Sequence, residues 1–189
     1  MNLHRVLAAV ERFRFLDRTA ESASRVAGTV VDRAHLGTVL RGSWLGHPVH
    51  PLLVTVPIGA WSSSIVFDVV FKDPATARRL VGIGLAATPP TVLAGWADYA
   101  LLNRPQQQVG AVHAASNGTA VALFALSYRA YRRERPAAAR RYCLLGLIAM
   151  GVGGALGGHL SYAQGAGVFR WQPVRALTDR SPREFLSAA

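Results

Sequence analysis

Charged residues and cysteines are scarce in this chain of 189 residues. Asp, Glu, Lys and Arg together make up 16% of it, whereas apolar residues make up 51%. This balance excludes a disordered chain and disfavours a pair of ordinary soluble domains. The single cysteine, Cys143, cannot form an intrachain disulfide, and the sequence lacks the Cys-x-x-Cys-His motif that attaches haem covalently.

Acidic residues are the scarcer charge, since ten Asp and Glu stand against 21 Lys and Arg and leave a net charge of +11. Such an excess usually suggests nucleic acid or anionic lipid as a partner. The position of the charges decides between them. Only Asp68 is charged between residues 42 and 71, only Asp98 between 80 and 102, and residues 105–127 and 142–169 carry no charge. Each stretch is long enough to cross a hydrocarbon core of about 30 Å at about 1.5 Å per residue.

The sequence therefore predicts an all-α integral membrane protein, a four-helix bundle with an N-terminal amphipathic helical segment. The spans must be helical because backbone groups in lipid have no water to bond. Residues 1–41 form the amphipathic, interfacial segment and residues 170–189 a polar tail. Residues 42–169 form the membrane domain, with spans near 49–71, 79–101, 109–128 and 142–162. The lipid bilayer is the expected partner, and nucleic acid is not.

Two patterns of small or apolar residues leave alternatives open. Val26, Val30 and Ala34 form a stripe in the N-terminal segment that either packs against the bundle or contacts lipid. The fourth span contains two small-xxx-small pairs, namely Gly153 with Gly157 and Gly154 with Gly158. This spacing favours tight packing within the bundle, with the face of a homodimer as the alternative.

Side chains that can bind metal ions lie at one level of the predicted bundle. Because the spans alternate in direction, the first and third spans begin on the side where the second and fourth end. These span ends carry His47, His50, Asp98, His113 and His159, and Asn117 shares a helical face with His113. Ionisable residues at membrane depth are expensive and are functional candidates by default. For any single histidine, the alternative is a hydrogen bond to headgroups, water or a backbone carbonyl.

This histidine layer predicts a cofactor. Two histidines on facing helices can hold a haem within a bundle through neutral ring nitrogens. We therefore predict one b-type haem, bound by two of His50, His113 and His159, with Asp98 or Asn117 supporting the ligating imidazoles. The alternative is a transition-metal site that uses His47, His50, His113 and His159, and a third possibility is that no cofactor binds.

Four motifs in a fixed order resemble a known family. They are LGHPVHPLLVTVPIGAWSSSIVFD at 45–68, GWADY at 95–99, HAASN at 113–117 and GGHLSYAQGAGV at 157–168. Together they resemble a bacterial family of predicted membrane proteins that carries a domain of unknown function, numbered 2231. The resemblance implies the architecture and leaves the activity open. The layout is similar to that of four-helix membrane b-type cytochromes, in which haem lies between inward-facing histidines.

The predicted function is a membrane electron-transfer subunit that exchanges electrons with a quinone or a separate redox protein. The sequence shows no set of catalytic acid, base or nucleophile, so an enzymatic role extends at most to redox chemistry. A metal-binding sensor or permease and a cofactor-free scaffold are the alternatives. Nine Lys and Arg lie in or beside the loops 72–78 and 129–141, and the positive-inside rule keeps such loops in the cytoplasm. We therefore expect a multi-pass protein of the cell membrane with both termini outside.

Overall fold

The computed structural model of the protein describes residues 17–33, 35–168 and 170. Every regular element within these residues is helical. Helix α1 (Asp17–Arg33) and the short α2 (Gly37–Leu40) precede the membrane domain. The spans then follow as α3 (Val49–Leu53) with α4 (Thr55–Val69), α5 (Pro74–Tyr99), α6 (Arg104–Arg132), and α7 (Pro136–Gly158) with a π-helical turn (His159–Ala163).

The predicted fold class is confirmed, because four helical segments are long and apolar enough to cross a membrane. Three of them extend beyond their apolar parts. Helix α5 begins at Pro74 rather than near 79, α7 begins at Pro136 rather than near 142, and α6 covers Arg104–Arg132 rather than 109–128. Each of these extensions contains arginine, whose long side chain can reach the interface while the backbone stays helical.

Local sequence rules explain where these three helices begin. Prolines occupy their first turns, where a missing N–H costs no intrahelical bond: Pro74, Pro105 and Pro136. The Asp73 carboxylate caps α5 by accepting a hydrogen bond from the Thr76 backbone N–H at 2.9 Å. Asn103 and Gln106 form a reciprocal capping box at the start of α6.

The first span is interrupted at Val54, three residues before Pro57. A proline ring clashes with the preceding helical turn, which accounts for the break at this point. The interruption leaves α3 as a separate helix of five residues that carries His50 near its start. By contrast, α5 remains one helix through Pro89 and Pro90, which both lie on its exposed surface.

The spans pack as two helical hairpins, the first made of spans one and two and the second of spans three and four. At the centre, Trp61 stacks on Phe124 with ring centres 4.0 Å apart and planes 12° apart. Gly84 crowds the Trp61 ring and Gly146 crowds the Phe124 ring, so neither position has room for a Cβ. The fully buried residues around the stack are small, namely Ala77, Val81, Ala139 and Cys143. Close helix approach therefore leaves a centre that two aromatic rings fill.

The two glycine pairs of the fourth span lie on different faces of the helix. A Cβ at Gly153 would lie 2.5 Å from Asn117 Oδ1, so this glycine faces the third span. Gly157 also faces inward, towards the ring of His113. Nothing lies within 4 Å of a Cβ built on Gly154 or Gly158. Packing inside the bundle therefore accounts for the first pair alone.

Helix α1 packs where the second span ends and the third begins. Ala27 and Val31 are buried there, and the Ser24 hydroxyl accepts a hydrogen bond from Gln107 Nε2 at 3.2 Å. Val26, a member of the predicted apolar stripe, is 62% exposed. The packing face of α1 is therefore shifted by one residue from that stripe, to Ala27 and Val31. The side chains of residues 30 and 34, the predicted helix before residue 17, and the tail beyond Arg170 lie outside the described residues.

Candidate functional site

Two histidines face each other across the bundle, one from each hairpin. His50 lies in the first turn of α3, and His113 lies about three turns into α6. Their ring centres are 6.4 Å apart and their planes are at 80°. The first and third spans run in the same direction, and this separation places the two rings side by side near the same end of the bundle. The structure therefore brings together two of the three histidines predicted as haem ligands.

Each of these imidazoles is held by a backbone carbonyl of the following span. His50 Nδ1 lies 2.9 Å from the Thr91 carbonyl oxygen, and His113 Nδ1 lies 2.8 Å from that of Gly153. A carbonyl oxygen only accepts hydrogen bonds, so Nδ1 donates in both pairs. In a neutral ring the proton then resides on Nδ1 and leaves the Nε2 lone pair available. Histidines that bind metal ions are commonly oriented by this kind of bond.

Glycine makes room for both rings. A Cβ at Gly95 would lie 2.9 Å from Cε1 of His50, and a Cβ at Gly157 would lie 3.0 Å from Cε1 of His113. Neither distance is a normal carbon contact, so alanine at either place would push the imidazole away from its carbonyl. The glycines of the GWADY and GGHLSY motifs thus hold open the space in which the imidazoles lie.

Asn117 lies beside His113, as their helical spacing predicts. Its Nδ2 donates to the His113 carbonyl oxygen at 3.0 Å. The same nitrogen is 3.4 Å from Nδ1 and 3.2 Å from Nε2 of the His113 ring. An amide in line with the Nε2 lone pair would be much farther from Nδ1 than from Nε2. The near equality of the two distances therefore leaves the lone-pair direction of Nε2 unblocked by Asn117.

Asp98 pairs with an arginine at the end of the second span. Arg170 Nη1 donates to Asp98 Oδ1 at 2.8 Å, and both side chains are about one-fifth exposed, at 21% and 20%. Arg41 Nε donates to the neighbouring Ala97 carbonyl at 3.2 Å. Cations favour a helix C-terminus because of its partial negative charge. The predicted contact of Asp98 with a ligating imidazole stays a prediction.

The remaining two predicted ligands have different surroundings. His159 is 6% exposed and opens the π-helical turn, whereas His47 is exposed in the approach to α3. Within the described part of the chain, no three His, Cys, Asp or Glu side chains come together as a group that could hold a metal ion. The arrangement of the described residues is thus a facing pair of imidazoles.

A family model described as predicted membrane protein (DUF2231) matches residues 46–170. The chain belongs to this family. The match includes all four spans, the facing histidines and the Asp98–Arg170 pair, while α1 and Arg41 precede it. No curated protein and no solved structure shows a significant match to the chain.

This DUF2231 protein has a second buried polar group at the opposite end of the bundle. Asp68 is 2% exposed, and its Oδ2 accepts a hydrogen bond from Arg140 Nε at 2.8 Å. One turn deeper, the Ser64 hydroxyl lies 3.4 Å from Cys143 Sγ. The sequence-based prediction named candidate residues only at the histidine end of the bundle. The signal was available, since Asp68 is the one charged residue of the first span and shares a helical face with His50 and Trp61.

Proposed function

We propose that this membrane protein is an electron-transfer subunit that holds one b-type haem between His50 and His113. The observation that carries the proposal is the pair of facing imidazoles, each with Nδ1 engaged by a backbone carbonyl. Both rings are thereby fixed in orientation, and both keep Nε2 for a ligand. One carbonyl bond would serve a packing histidine equally well, and the pairing of two such rings from different hairpins is what supports a shared ligand.

The spacing of the rings fits two ligands on one metal centre. Two imidazoles bound from opposite sides through metal–nitrogen bonds of about 2.0–2.1 Å have ring centres roughly 6–6.5 Å apart. The observed separation of 6.4 Å falls in this range. A porphyrin supplies the other four nitrogens, so two histidines complete the coordination of haem iron. A zinc ion alone needs about four ligands, and the described residues offer no group of three.

Haem, when bound, would supply one-electron redox chemistry. The chain itself holds the imidazole planes, through the carbonyls of Thr91 and Gly153. It also keeps the site near one end of the bundle, close to the Asp98–Arg170 pair. A redox group at this level is within reach of a quinone headgroup or a separate redox protein at the membrane surface.

We further propose that the histidine end faces the extracytoplasmic side. The opposite end carries Lys72, Arg78, Arg79 and the arginines between 129 and 141. Short loops rich in Lys and Arg stay in the cytoplasm. Single cysteines at Ala138 and Ser181, in a Cys143→Ser background, test this orientation. A membrane-impermeant thiol reagent should label position 181 in intact cells and leave position 138 unlabelled, whereas the reverse pattern contradicts the proposal.

The direct test of cofactor binding is the absorption spectrum of the protein purified after expression with a haem supply. We expect Soret and α bands that sharpen on reduction. His50→Ala and His113→Ala should each remove most of the bound haem, because each removes one of the two side chains that would hold it. His47→Ala, at an exposed position, is the matched control and should retain it. Bound zinc or copper without these bands would support the metal-site alternative, and neither haem nor metal would support the scaffold.

A further inference from the structure

The contacts of the two facing histidines repeat with a shift in residue number that is constant within each span. His50 bonds the carbonyl of Thr91, and its ring lies against Gly95, four residues further on. His113 bonds the carbonyl of Gly153, and its ring lies against Gly157, again four residues further on. Adding 63 to a number in the first span, or 62 to one in the second, gives the equivalent residue.

The same shift relates the core of the two hairpins. Trp61 and Phe124 are equivalent residues, and they stack on each other. Gly84 lies against the Trp61 ring, and its equivalent Gly146 lies against the Phe124 ring. Further equivalent pairs are buried at both members: Ser64 with Ser127, Asp68 with Tyr131, Ala77 with Ala139, and Val81 with Cys143.

The connections within the hairpins explain why the shift drops from 63 to 62. Four residues, 70–73, join α4 to α5, whereas three residues, 133–135, join α6 to α7. Both connections contain a non-glycine residue with φ of +54°, Lys72 in the first and Glu134 in the second. Both are followed by a proline that opens the next helix, Pro74 and Pro136. The turn conformation is thus repeated with one residue deleted.

The amino-acid sequence repeats as well. Residues 74–95 and 136–157 align without gaps and carry the same residue at nine of 22 positions. The shared residues include the Pro-Ala-x-Ala-Arg-Arg start, a Gly-Leu-x-Ala segment in the middle and the glycine against each histidine ring. In the first and third spans, Val49-His50 matches Val112-His113 and Ser64 matches Ser127.

From these agreements we infer that the membrane domain is a tandem duplication of one helical hairpin, and that the symmetry of the copies assigns His50 and His113 as a single ligand-holding pair. Equivalent spans run in the same direction, so the twofold axis lies along the bundle and passes between Trp61 and Phe124. Repeats of this kind are related by an axis along the membrane normal. A site on that axis receives one imidazole from each copy.

The other predicted ligands are not duplicated. His159 is equivalent to Ala97, and His47 is equivalent to Gly110. These two histidines therefore break the symmetry. So do Asn117, whose equivalent in the first copy is Val54, and Asp98, whose equivalent in the second copy is Leu160. This assignment of ligands rests on the proposed haem function. The duplication itself does not, so the two can be tested apart.

Distances between spin labels test the duplication without any cofactor. In the full-length protein with Cys143→Ser, one double variant carries Ser62→Cys with Leu145→Cys, and the other carries Ala125→Cys with Ile83→Cys. All four side chains are exposed on the outside of the bundle. A twofold axis maps the first pair onto the second, so both variants should give the same mean distance. Clearly different distances would overturn the duplication.

A register control shows that the measurement can resolve a shift. Ser62→Cys with Val152→Cys places the second label seven residues further along α7, an axial displacement of about 10 Å. This variant should give a longer distance than the pair at Ser62 and Leu145. If the control distance equals that of the pair at Ser62 and Leu145, then Leu145 is not at the level of Ser62. The equivalence of the two hairpins would then be wrong, and so would the inferred duplication.

Haem retention tests the ligand assignment separately. His50→Ala and His113→Ala should lose haem to the same extent, at least tenfold, whereas His159→Ala should keep the wild-type spectrum. Loss in His159→Ala together with only one of the other two would overturn the symmetric pair and leave the haem proposal standing. A wild-type protein that takes up no haem would overturn the haem proposal and the ligand assignment, and the label distances would still decide the duplication.

Discussion

Both ends of the bundle contain polar side chains within the spans, but these side chains have different kinds of partner. At one end Asp68 is paired with Arg140, so its charge has a charged partner. At the other end His50 and His113 are held by backbone carbonyls, each through Nδ1, and each keeps a nitrogen that can bind a ligand. The ion pair satisfies both of its members, whereas each imidazole has one ring nitrogen engaged by a carbonyl, and on this difference the proposed site rests.

The glycines against the rings offer the strongest way to break this comparison. Gly157→Ala places a methyl carbon 3.0 Å from Cε1 and 3.2 Å from Nδ1 of His113, which is closer than normal contact, and should push the ring off the Gly153 carbonyl. We expect loss of most of the haem and a destabilisation of about 1–3 kcal/mol, as for other overpacked sites. Haem content and thermal unfolding in detergent measure the two effects.

Gly154→Ala is the matched control for this substitution. It lies on the same helix, and nothing lies within 4 Å of its Cβ position. Alanine has the higher helix propensity, so this variant should be as stable as the wild type or slightly more so. Equal haem retention in both variants would contradict the account of the glycines.

The ion pair gives the next largest effect. Arg140→Gln leaves the buried Asp68 carboxylate without its charged partner, and the melting temperature should fall by several degrees while haem content stays unchanged. Arg78 is the residue of the first hairpin that is equivalent to Arg140, and it is exposed. Arg78→Gln should therefore have the melting temperature of the wild type. Loss of haem in Arg140→Gln at full stability would show that the two ends are coupled.

The cap of the second span gives the smallest effect. Hydrogen bonds from the Thr76 side chain and then from its backbone N–H lower the pKa of Asp73 below its ordinary value of 3.8. A lowered pKa stabilises the folded state above the unfolded-state value and loses that contribution as the pH falls through the folded value. Melting curves between pH 7 and pH 3 should therefore fall slightly more steeply for the wild type than for Asp73→Asn, which keeps a cap without the titration. Identical pH profiles for the two proteins would show that the titration of Asp73 contributes nothing to stability.

The sequence predicted the spans and the level of the histidines because both depend on the absence of charge and on the alternation of direction. It did not predict the helix starts at Pro74 and Pro136, because a pair of arginines follows each first turn and separates it from the apolar stretch. Nor did it predict the packing face of α1, since Val26 and Ala27 are neighbours and a small shift in helical phase exchanges them.

The candidate site was predictable as a set of residues and not as a pair. The alternation of span direction places His50, His113 and His159 at one depth, but it does not say which rings face each other. The contact between His50 and His113 joins residues far apart in the chain, as does the pairing of Asp68 with Arg140. The internal repeat was the missing signal. The shared Pro-Ala-x-Ala-Arg-Arg segments at Pro74 and Pro136 would have singled out the duplicated histidines.

Electron paramagnetic resonance of the oxidised, haem-loaded protein tests the central claim most directly. The ring planes of His50 and His113 are at 80°. Nearly perpendicular imidazoles leave the two iron orbitals that they share almost equal in energy, whereas parallel imidazoles split them. We therefore predict a low-spin signal of the strongly anisotropic type. A high-spin signal, a rhombic low-spin signal typical of parallel planes, or no haem signal at all would contradict a haem held between these two histidines.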